Sequence, residues 1–170
     1  MPPRSVVVLS LLVPMLLSSG ACARRRAADT ASAPAAETSL RGTVSVTGTS
    51  AAKRLVLRVG ERSVSLTGST ADSASLTRLG GVEVEVRGRT DASVFRVGSF
   101  TAQRVDGQPV VDGFLRRDGD RLVLETANGR TALGNPPAAF RSMVGARVWV
   151  GGPLDTGPNV YGIIVPAPDK

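Results

Sequence analysis

The sequence predicts an all-β protein: two five-stranded units packed together, preceded by an apolar N-terminal segment and a low-complexity stretch. Three observations carry that prediction. Apolar and polar residues alternate in short runs bounded by glycine, asparagine or aspartate, the pattern of half-buried strands. Long apolar stripes at helical spacing are absent. The same order of elements also occurs twice along the chain, with gaps that differ by only a few residues.

The first element is MPPRSVVVLSLLVPMLLSSGAC. Its apolar run, Ser5 to Leu17, is shorter than the roughly 20 residues a helix needs to cross a bilayer. A single positive charge precedes it and small residues follow, which is the layout of a secretory signal. Ser19-Gly20-Ala21-Cys22 resembles the bacterial lipobox, with the nearest leucine, Leu17, two residues further upstream than that motif usually places it. The resemblance implies a signal peptide over 1–21, cleavage before Cys22, and a diacylglycerol on its thiol. Cys22 is the only cysteine, so no intramolecular disulfide competes for it. The alternative is cleavage after Ala23 by ordinary signal peptidase, since Ala21-Cys22-Ala23 is itself an A-x-A site. Two or more acyl chains hold a domain on a membrane, each buried methylene contributing about 0.8 kcal/mol. Arg24, Arg25 and Arg26 could add attraction to anionic headgroups.

Residues 22–39 are small, polar and proline-containing, too poor in large apolar groups to fold, and read as a disordered tether. The folded part divides at 40–106 and 107–170. In the first unit a strand with an early glycine, Gly42, leads into a hairpin turning at Val59-Gly60-Glu61. A helical turn over Ala71 to Leu79 follows, and then two strands, the first beginning Gly81-Val82-Glu83-Val84-Glu85-Val86. The second unit matches it. Gly113 answers Gly42, Arg121-Leu122-Val123-Leu124 answers Arg54-Leu55-Val56-Leu57, and a turn at Ala127-Asn128-Gly129 follows. A helical turn is expected within Pro136 to Met143, and Gly145-Ala146-Arg147-Val148-Trp149-Val150 answers the Gly81 strand. Val82, Val84 and Val86, with Ala146, Val148 and Val150, point one way along their strands and should line the interiors, faced by Leu55, Leu57, Leu122 and Leu124.

Three strands, a short helix and two strands is the element order of the OB-fold, a small Greek-key barrel. The copies also resemble small OB-like bacterial domains of unknown function found in exported proteins, which implies tandem five-stranded barrels and carries over no catalytic residue. One continuous ten-stranded barrel or sandwich is the alternative. Asp106 to Asp112 reads as a short linker, and Asp106-Gly107, Asp112-Gly113 and Asp118-Gly119-Asp120 read as turns.

The chemistry the chain can do is narrowed by what it lacks. It has no histidine, removing the commonest general base and metal ligand. With Cys22 committed to the anchor, no thiol is left for metal or covalent work. A Ser–Lys pair would depend on Lys53 or Lys170, in a loop and at the C-terminus. No catalytic residue, metal ligand or cofactor is therefore expected. The net charge of +7 comes mostly from arginine and is too weakly patterned for a nucleic-acid surface. The expected partners are a lipid bilayer, through the acylated N-terminus, and an envelope protein or glycan. The expected place is the outer membrane facing the periplasm, or otherwise the periplasm or the medium. Two ligand patches are candidates. Trp149 lies on the outward parity of its strand beside Arg147, with Tyr161 nearby, and either packs between the barrels or under a loop, or receives a ligand. Arg87, Arg89 and Arg96, with Arg104, lie on the closing strands of the first unit and could form a stripe for an anionic glycan or lipid headgroup.

Overall fold

The computed structural model describes residues 37–49 and 52–168. The leader, Cys22 and the residues up to 36 lie outside the described residues. Ten strands, one helix and one 3₁₀ turn follow. They are β1 (Thr38–Thr49), β2 (Ala52–Val59), β3 (Arg62–Thr67), α1 (Thr70–Arg78), β4 (Glu83–Asp91), β5 (Val94–Val105), β6 (Gln108–Asp118), β7 (Arg121–Thr126), β8 (Gly129–Ala132), the 3₁₀ turn Ala138–Arg141, β9 (Arg147–Gly151) and β10 (Val160–Val165). Among the described residues no helix is long and apolar enough to cross a membrane.

The first five strands close into a barrel. β1 pairs with β2 along one half and with β4 along the other, β2 pairs with β3, and β4 pairs with β5, all antiparallel. The parallel pairing of Ser65–Thr67 in β3 with Val94–Arg96 in β5 closes the ring. Alternation places Val44, Leu57, Val84, Val86, Phe95 and Phe100 inside, all buried. Helix α1 starts where the Ser69 side chain accepts the Asp72 N–H at 3.1 Å, capping an otherwise orphan donor. It buries Leu76 against the same core.

The other five strands repeat the order of pairing. β6 pairs with β7 and β9, β7 with β8, and β9 with β10. The repetition extends to single hydrogen bonds. Val44 N–H donates to Val82 O at 3.0 Å, and Leu115 N–H to Ala146 O at 2.9 Å. Gly81 N–H donates to Val44 O at 2.9 Å, and Gly145 N–H to Leu115 O at 2.8 Å. Gly42 and Gly113 stand at the same point, where the long first strand leaves one neighbour for the other. A Cβ on Gly42 would lie 2.2 Å from Arg58 O, and one on Gly113 2.6 Å from Glu125 O. The two sets differ in closure: no β8–β10 pairing occurs among the described residues. The β9–β10 loop instead reaches the end of β8, where Gly134 N–H donates to Leu154 O at 2.8 Å. Leu115, Leu124, Phe140, Val148 and Val150 form the core of this set.

Three expectations are corrected. The tether does not run to residue 39: β1 begins at Thr38, because Thr38 and Ser39 pair with Gly88 and Arg87 of β4 and this backbone pairing needs no apolar side chain. Asp106 to Asp112 is no linker. Asp106 (φ 48°) and Gly107 (φ 76°) form a two-residue hairpin turn with both residues in the left-handed region, and β6 starts at once. Asp112-Gly113 is no turn either. Both lie inside β6, paired with Trp149 and Val148, and the glycine serves the bend of the strand.

The two sets share a seam. Ile164 of β10 is buried in the first core, and its carbonyl accepts from Arg78 Nη1 of α1 at 3.3 Å. Val105, Val110 and Trp149 pack against the same core.

Candidate functional site

The arginines of the first barrel do not form an uninterrupted cationic stripe. Outward positions on β4 carry Glu83 and Glu85 and then Arg87 and Arg89, and charges pair both along β4 and with its neighbouring strands. Arg87 meets Glu85 at 3.0 Å, Arg41 meets Glu83 at 2.6 Å, and Arg96 meets Asp91 at 3.2 Å. Arg104 donates to Gly107 O at 3.5 Å. Arg89 is exposed and makes no ion pair among the described residues. Such exposed pairs contribute little to stability individually, yet they cancel much of the field an anion would feel.

The same pairing sets a pH response. Hydrogen bonds from Arg87, and then Ser39, hold the Glu85 carboxyl below its ordinary value. Arg116 and then Arg130 do the same for Glu125. A carboxylate with a lowered folded-state pKa contributes stability above its unfolded-state value and loses it as pH falls through the folded-state value. Melting temperature should therefore decline between the ordinary glutamate range and the more acidic folded-state values. The Glu85→Gln/Glu125→Gln double variant should lose part of that decline in a melting series run across acidic pH. A wild-type slope kept by the double variant would contradict the assignment.

Arg147 lies at the seam. Its Nε and Nη2 each donate to one oxygen of Asp112 at 2.8 Å, a bidentate pair, and Nη2 also donates to Phe100 O. The guanidinium carbon stands 4.5 Å from the centre of the Phe100 ring. Asp112 Oδ2 accepts the Ala102 N–H at 2.9 Å. The Asp112 side chain is 3% exposed and that of Arg147 20%. The cation predicted as a ligand contact is thus occupied by β5 and β6, joining the two strand sets. Asp112, its partner, was not recognisable in the sequence, where an aspartate before glycine signals a turn.

Trp149 is half-buried and packs on the first core. Its indole lies over Gly162, its cross-strand partner: a Cβ there would fall 2.5 Å from Nε1. Beside it opens a cavity of about 490 Å³, within the range of small-ligand sites. Val105, Val110 and Val160 give it apolar walls, and Asp106, Gln108 and Asn159 bring polar ends. Among the described residues no cationic side chain lines it. Tyr161 borders the cavity too, but it is paired with buried Val150, and its ring stands edge-on to Phe140, centroids 4.8 Å apart, on the second core. Trp149 and Tyr161 therefore do not form a common aromatic wall, and Trp149 supplies the ring.

A second glycine shapes the same place. At Gly152 (φ +91°) a Cβ would lie 2.5 Å from Asn159 Oδ1, so the missing side chain leaves room for the amide. Neither the indole nor the amide could sit where it does beside any larger residue. No family model, curated protein or solved structure matches this chain.

Proposed function

We propose that the chain is an exported, lipid-anchored protein of the cell envelope that works by binding and not by catalysis. Its folded part is read as two consecutive OB-like units, the second repeating the first and closed by a loop. The observation that carries the reading is the place of the only cysteine, directly behind a short apolar leader with one positive charge at its start. The repeated pairing order and the matched hydrogen bonds at Val44 and Leu115 support the tandem arrangement. The cavity beside Trp149 is the binding place in this reading, since it joins an aromatic wall to exposed polar side chains. The ion pairs of Arg87 and Arg96 weigh against an anionic ligand on the strand faces.

Cells grown with labelled palmitate should mark the wild-type chain and leave Cys22→Ser unmarked and released from membranes. Equal partition of both chains into the soluble fraction would defeat the anchor and favour cleavage after Ala23.

A further inference from the structure

We infer that the cavity at the seam takes a neutral glycan, with a sugar carrying an acetamido group as the unit it fits. The inference rests on the cavity being a binding place and names what it binds. The polar side chains around it are two amides and one carboxylate. Gln108 and Asn159 offer side-chain amides, each with donors and an acceptor, and Asp106 offers acceptors. No hydrogen bond to another side chain ties up these groups among the described residues, and Asp106 has no cationic partner. The Trp149 indole N–H likewise has no acceptor among the described residues. A ring bearing hydroxyls and an amide can satisfy such a set reciprocally, while its C–H face and acetyl methyl lie against tryptophan and valine.

Charge narrows the class further. Asp106 is the one charged side chain among the described lining residues, and Arg104 in the same hairpin donates to Gly107 O, so a uronic-acid or sulfated sugar would bring its negative charge toward Asp106 with no cation in the lining to receive it. The architecture argues that the place is built. Gly162 and Gly152 each leave a space that a lining group fills, the indole in one case and the Asn159 amide in the other. The Asp106-Gly107 turn sets its carboxylate at the rim through a left-handed backbone, φ 48° at Asp106. These features come from three separate points of the chain and meet at one opening.

Because Trp149 is the only tryptophan, intrinsic fluorescence reads this site directly. The full chain, held in a detergent without a sugar headgroup, is titrated with trimers of N-acetylglucosamine, of glucose and of a uronic acid. The N-acetylglucosamine trimer should shift the emission saturably, with the glucose trimer at least about fivefold weaker. Gln108→Ala and Asn159→Ala, both at exposed positions, should each weaken binding by about five- to tenfold, the loss of a hydrogen bond or two, with unchanged melting temperatures. Preference for the uronic-acid trimer would overturn the ligand class and leave the cavity as a binding place. Silence toward all three, or affinities unchanged in both variants, would overturn the glycan inference; the fate of the Cys22 anchor is read separately by the palmitate experiment.

Discussion

Arg147→Ala should be the most damaging substitution of a charged residue in the described part of the chain, at a cost of about 3–5 kcal/mol. The guanidinium lies between Asp112 and the Phe100 carbonyl, and its removal leaves a carboxylate that is only 3% exposed without a counter-charge. A buried ion left alone costs far more than the pair contributes when intact. Arg147 keeps about one-fifth of its side chain accessible, 20%, so the lower end of that range is expected. In a domain of this size that is a fall in melting temperature of roughly 10 °C or more. The double variant Arg147→Met/Asp112→Leu should recover part of the loss, because no charge then stays buried. Recovery should be incomplete, since Ala102 N–H and Phe100 O lose their partners. A double-mutant cycle by chemical denaturation gives the coupling, and additive effects would contradict a direct pair.

Gly42→Ala and Gly113→Ala should follow, at about 3 kcal/mol for the first and somewhat less for the second. In each case the added methyl would meet a backbone carbonyl, at 2.2 Å from Arg58 O or 2.6 Å from Glu125 O. A flexible side chain could move away from such a contact. A strand carbonyl cannot do so without shifting the strand that carries it. The order of the two effects follows the order of the two distances. Parallel losses at these positions would show that the two strand sets use the same bend for the same reason. A stable Gly42→Ala with wild-type melting would mean that β1 is not pinned there.

Much of the fold was legible because strands leave a period-two record. Val82, Val84 and Val86, and Ala146, Val148 and Val150, are all buried as their alternation predicts. The hairpin turns at Gly60 and at Asn128 also fall where the sequence places them. What was not legible depended on contacts between distant segments. The local sequence around Asp112 is that of a turn, and only the arrival of Arg147 and of the Ala102 N–H makes it the buried centre of a seam. Trp149 has the parity of a surface residue, and only the neighbouring barrel half-buries it. The start of β1 was missed because Thr38 and Ser39 carry no apolar signal, their pairing being a matter of backbone alone.

The candidate site divides in the same way. Trp149 could be singled out because an outward indole on a strand is unusual. The amides of Gln108 and Asn159 could not, as each lies in an ordinary polar stretch and reaches the cavity only through the Asp106-Gly107 hairpin and the β9–β10 loop. The role of Gly162 became visible only with its cross-strand partner in place.

The central claim is that the two strand sets form one cooperative body, with the cavity built where they join. Equilibrium denaturation followed by two probes tests it most directly: emission of Trp149, at the seam, and amide exchange of Val84 and Phe95, inside the first barrel. One transition with coincident midpoints is the predicted result. Two separated transitions, with the first barrel still protected after the Trp149 signal has gone, would contradict it.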